Sequence, residues 1–195
     1  MNIYLTNIYI FILATVLAIL EIQIEGANGW AKNLPTWRPN PNHPMAKIYS
    51  RMMSGKELTG YHLTMFSFVF LIFNLPFFFG FPFNLENILK ISSLFFIFIA
   101  LWDFLWFVLN PFHPLKNFAK NNPNHKAFLF GMPTDYYYSI TISFLILVIP
   151  TLFTSHLSLI TSLNWWLTNM GMFILETIFM IIFSLYILDI DNWQK

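Results

Sequence analysis

Residues 89–110 read LKISSLFFIFIALWDFLWFVLN. Beyond Lys90 at the edge, the run holds a single charged residue, Asp103. As a helix it extends about 33 Å, enough to cross the hydrocarbon of a bilayer. It lacks strict polar–apolar alternation, so a transmembrane β-strand does not fit.

Four more runs of this kind flank it, at about 3–24, 61–82, 136–155 and 166–188. The expected fold is an all-α integral membrane protein, one domain over residues 1–195 built as a five-transmembrane-helix bundle. Composition agrees: 57% of the 195 residues are hydrophobic and 10% charged, whereas a soluble domain carries about 25% charged residues. A soluble fold of this length leaves too much surface wet to hide 24 phenylalanines. The absence of cysteine excludes disulfides, thiolate metal sites and cysteine nucleophiles. A net charge of +1 gives no field favouring nucleic acid.

Residues 3–20 resemble a signal-peptide core in length. No Lys or Arg precedes them, no small-x-small cleavage site follows, and the run passes straight into Glu21-Ile-Gln-Ile-Glu25. A retained first span is therefore expected. Two loops are basic: residues 25–60 hold Lys32, Arg38, Lys47, Arg51 and Lys56, and residues 111–135 hold Lys116, Lys120 and Lys126. The positive-inside rule makes both cytoplasmic, with the N-terminus outside and the C-terminus inside. Tyr136, Tyr137, Tyr138 and Trp193 then form an inner aromatic belt, and Trp165 and Trp166 an outer one. The segment LPTWRPNPNHP in the first loop argues for extended chain.

Charges inside a membrane are costly and mark function. Glu21 and Glu25, four apart, share a helix face and repel one another unless a cation or proton intervenes. His62 opens the second span on the same side. Asp103, Trp106 and Asn110 recur three and four apart down the third span. His113 and His125 lie in the second basic loop. The topology brings these groups to one inner-face region, and their chemistry suits Zn, Fe or Mn.

The expected function is a metal-dependent enzyme acting on a lipid or other hydrophobic substrate at the cytoplasmic face. Glu21, Glu25, His62 and Asp103 are the candidate metal ligands. His113 or His125 completes the shell or serves as acid/base. Arg38, Trp106, Asn110 and the loop lysines contact substrate, Arg38 through an anionic headgroup. Membrane lipids are the expected partners, with a homo-oligomer or larger membrane complex open. Plainer readings stand beside these. Glu21 and Glu25 can lie wet among headgroups, Asp103 can pair with Arg38 or a loop lysine, and the loop histidines can be turn residues. A transport protein would route a polar path through Glu176, Asn74 and Asp103, and a non-catalytic subunit or assembly factor would need none of them. The five histidines fit none of the HxxxH and HxxHH spacings of lipid hydroxylases and desaturases.

Overall fold

A computed structural model describes residues 2–53, 55–119, 125 and 127–193. Lys120 and Lys126, two cations of the second basic loop, lie outside the described residues. Six α-helices carry the fold: α1 (Ile3–Glu25), α2 (Pro44–Met52), α3 (Gly60–Phe78), α4 (Leu85–Leu109), α5 (Thr134–Thr151) and α6 (Leu159–Ile182). A π-helical turn, Phe183–Ile187, prolongs α6. A two-residue hairpin pairs β1 (Phe128–Leu129) with β2 (Met132–Pro133) just before α5. Its turn puts both Phe130 and Gly131 at positive φ, the twist-matched geometry for a tight hairpin.

Side chains that bond the first free N–H groups set the helix starts. Asn2 caps α1, Thr59 caps α3 through the His62 amide at 3.2 Å, Asn84 caps α4 and Ser158 caps α6. Gly26, at φ 64°, stops α1 immediately after Glu25 and returns its N–H to the Ile22 carbonyl. Residues 34–43 hold no helix, as expected, though 41–43 form a turn, and Pro44 then opens the short α2.

Among the described residues, four helices are long and apolar enough to cross a membrane: α1, α3, α4, and α6 with its π turn. The fifth run of the expected five is not among them. The run expected at 136–155 is helical as α5, but α5 has 18 residues, opens on Thr134-Asp135 and three tyrosines, and stops one residue past Pro150. Those polar and aromatic groups dilute its apolar character.

Helix α4 is the axis of the bundle. Two-thirds of its apolar window is buried, against 17% for α3 and 11% for α6. Leu94, Phe98, Leu105, Trp106 and Phe107 fill the centre, with Ala14 and Ala18 of α1 letting that helix approach closely. The outer faces of α3 and α6 are apolar and exposed, with Phe68, Phe70, Leu71, Leu167, Leu175 and Phe179 pointing away from the protein. Water would not tolerate such continuous patches.

Sparse polar contacts fix the register of the helices. Asn7 of α1 donates to Asn169 Oδ1 of α6 at 3.1 Å. Ser93 of α4 and Ser143 of α5 share a 2.8 Å hydrogen bond, and Trp166 of α6 donates to Ser143 Oγ at 3.0 Å. Ser184, after α6, donates to the Val108 carbonyl of α4 at 2.6 Å. The last contact returns the chain to the end of the bundle where the two basic loops meet.

Candidate metal centre and apolar cavity

Glu21 and Glu25 sit one turn apart on the buried face at the end of α1, and His62 sits in the first turn of α3. Their burial forces a meeting. His62 Nε2 lies 3.6 Å from Glu21 Oε1 and 3.4 Å from Glu25 Oε1. All three donor atoms fall within 4.8 Å of one another. Three atoms bound tetrahedrally at about 2.0–2.2 Å from one ion would stand about 3.3–3.6 Å apart, so the two histidine distances match such a shell.

The surroundings fix the imidazole. His62 is 1% exposed, its Nδ1 lies 2.8 Å from Thr59 Oγ1, and Trp30 stacks on its ring at 3.7 Å between centroids. With Nδ1 engaged by Thr59, Nε2 is the nitrogen turned toward the two carboxylates. Nε2 has no hydrogen-bond partner of acceptable geometry among the described residues. A buried nitrogen left this way is costly. The Ala31 amide donates to Glu25 Oε1, which locks that carboxylate in place.

A second cluster stands beside the first. Lys56 Nζ lies 3.2 Å from both Asp103 Oδ1 and Asp135 Oδ2. His125 spans the same two carboxylates, with Nε2 2.8 Å from Asp103 Oδ2 and Nδ1 3.1 Å from Asp135 Oδ1. Tyr136 donates to Asp103 Oδ2 at 2.5 Å. Two cations thus face two anions. Burial disfavours charge on His125, but the Asp103 carboxylate outweighs it, so the imidazole titrates above its usual range. Trp30 joins the clusters: its ring stacks on His62 and carries Lys56 Nζ 4.5 Å from its centroid.

Both clusters open onto one cavity of about 550 Å³. Glu21, His62, Lys56, Asp103 and Asp135 line its polar end, while Phe66, Phe95, Phe96, Ile99 and Ile142 line the rest. It lies over α4 between α3 and α5. Ligand pockets typically measure about 300–1,000 Å³ and are apolar with a few convergent polar groups.

The residues singled out from the sequence divide accordingly. Glu21, Glu25 and His62 converge. Asp103 lines the same cavity but is engaged by Lys56, His125 and Tyr136, as the reading of a pair with a loop lysine expected. His125 belongs to that charge network. His113 lies elsewhere, packed against Trp106 and Phe107, where burial lowers its pKa. Trp106 is a core residue, 1% exposed. Asn110 closes α4, its Oδ1 accepting from the Phe112 amide at 2.9 Å. Arg38 is a clamp of the first basic loop. It pairs with Glu57 at 3.2 Å and donates to the Ala31 carbonyl at 2.6 Å and the Thr36 carbonyl at 3.1 Å. None of these last four lines the cavity. Asn74 donates to Phe70 within its own helix, and neither it nor Glu176 lines the cavity.

Sequence reasoning missed Trp30 as the bridge, Asp135 as the second carboxylate facing Lys56 and His125, and Tyr136 as a donor to Asp103. The available signal was position: Asp135-Tyr136 opens an apolar run at the same end of the bundle as Asp103.

Comparisons of the chain with protein-family models, curated proteins and solved structures return no match.

Proposed function

We propose that this protein is a multi-pass membrane enzyme that binds a divalent transition metal at Glu21, Glu25 and His62 and acts on a hydrophobic substrate held in the adjoining cavity. One observation carries the reading: three buried donor atoms, an imidazole nitrogen and the two carboxylates 3.4 and 3.6 Å from it, converge, and Glu21 and His62 reach the polar end of an apolar cavity. Glu21, Glu25 and His62 would supply three protein ligands to such an ion, the ligand number of catalytic rather than structural zinc sites. A bound ion would supply Lewis acidity toward a carbonyl or phosphoryl oxygen. Thr59 and Trp30 orient the imidazole, and the Ala31 amide orients Glu25, as outer partners of metal ligands do. The Lys56–Asp103–His125–Asp135 network holds α4, α5 and both basic loops around the pocket. Its histidine is better suited to that clamp than to proton transfer.

In this reading α5 also crosses the bilayer, since it packs along α4 and delivers Asp135 to one end of the bundle and Pro150 to the other. The basic end is cytoplasmic, the N-terminus outside, and lipid the immediate partner.

Metal analysis of purified protein tests the reading. After washing with a weak chelator, wild type is expected to retain one Zn, Fe or Mn ion per chain, and E25Q or H62Q to lose it. Wild-type protein free of transition metal, with stability unchanged by strong chelator, refutes it.

A further inference from the structure

Two cations line the cavity, Lys56 and Arg51. The charge of Lys56 is matched by Asp103 and Asp135, and His125 completes the balance of that cluster. Arg38 is tied to Glu57. Arg51 differs: it is exposed, and among the described residues it has no ion-pair partner. It lies in the last turn of α2, a helix unlike the spans. Met45, Ile48 and Met52 form one exposed stripe at helical spacing, and Lys47 and Arg51 form another one turn long. Apolar and basic stripes on one short helix at the end of a bundle fit a position in the headgroup layer. From there Tyr49, Arg51 and Met52 form part of the cavity wall. The Tyr49 hydroxyl is buried there with no hydrogen-bond partner among the described residues.

We propose that the cavity takes an anionic amphiphile, its tail among Phe66, Phe95, Ile99 and Ile142 and its phosphate or carboxylate head on Arg51, with the Tyr49 hydroxyl as second donor. Charge complementarity selects the head: the carboxylates of the polar end already face Lys56 and the two histidines, whereas Arg51 is unmatched. A guanidinium offers paired N–H groups to a planar carboxylate or a phosphate. The lining selects the tail, being aromatic and aliphatic over most of its length. The proposal rests on the cavity being a lipid-substrate pocket and is independent of the metal.

Binding of pyrene-labelled phosphatidylglycerol and phosphatidylcholine to the full chain in a non-ionic detergent tests it. Wild type is expected to prefer phosphatidylglycerol by about tenfold or more, the scale of one charge-assisted hydrogen bond. R51Q is expected to abolish the preference, R51K to keep part of it, and K47Q to leave it intact. I142W, which fills the tail region, is expected to weaken both lipids. Inorganic phosphate is expected not to compete. Equal binding of both lipids by wild type, an unchanged preference in R51Q, or competition by millimolar phosphate alone overturns the proposal. Metal content separates the two readings: R51Q is expected to keep the wild-type metal, and E25Q to keep the lipid preference.

Discussion

Replacing Lys56 with methionine removes a cation whose side chain is 2% exposed and lies 3.2 Å from each of two carboxylates. Methionine fills a similar volume, so packing changes little and charge is what is lost. Wild type balances Lys56 and His125 against Asp103 and Asp135; the variant leaves one uncompensated negative charge. Breaking a buried pair on one side costs about 3–5 kcal/mol. Asp103 is 20% exposed and keeps some contact with water, so the lower half of that range, about 3–4 kcal/mol, is expected. K56M/D135N restores balance, because Asp103 still pairs with His125. The double variant is expected to recover at least about 1 kcal/mol of the single-variant loss, a coupling within the usual range for contacting residues. Equilibrium unfolding in mixed micelles, with tryptophan fluorescence and helicity as probes, measures both. A K56M variant within 1 kcal/mol of wild type, or a double variant no better than the single, refutes the claim that this network clamps the loops to the bundle.

The two loop histidines carry opposite pH signatures. His125 has its pKa raised in the folded state, so its contribution is complete below about 6.5 and falls as pH rises through the folded value; H125Q is expected to flatten that alkaline loss in a stability-versus-pH series. His113 has its pKa lowered by burial, so folding is penalised as pH drops below about 6.5, and H113Q is expected to remove that acid-side decline. A Cβ on Gly60 would stand 2.3 Å from Trp37 Nε1, so G60A is expected to displace the Trp37 ring and cost about 1–3 kcal/mol; an unchanged tryptophan emission spectrum and Tm would count against that packing. Loss of the Asn7–Asn169 bond in N7L is expected to cost only about 0.6 kcal/mol, as is typical between membrane helices, and a loss above 2 kcal/mol would show that the pair does more than tie α1 to α6.

Much of the candidate centre was legible before any coordinates. Glu21 and Glu25 share a face because four residues nearly complete a helical turn, and His62 joins them because consecutive spans bring the end of α1 and the start of α3 to one side. Trp106 and Asn110 misled because a three-and-four spacing from Asp103 specifies a stripe without saying what faces it. In the fold that stripe departs from the cavity: Trp106 enters the core and Asn110 ends the helix. Arg38 misled for a similar reason, since a free cation and one consumed by Glu57 and two carbonyls look alike in a string of letters.

The sequence by itself determined an apolar helical chain with both basic loops at one end, because hydropathy and helix length depend on neighbours along the chain. Tertiary structure alone decided which charges cancel and which cation stays free at the cavity. Ion pairing depends on distances of a few ångströms between residues as far apart in sequence as Lys56 and Asp135, and such distances are set only when the helices pack.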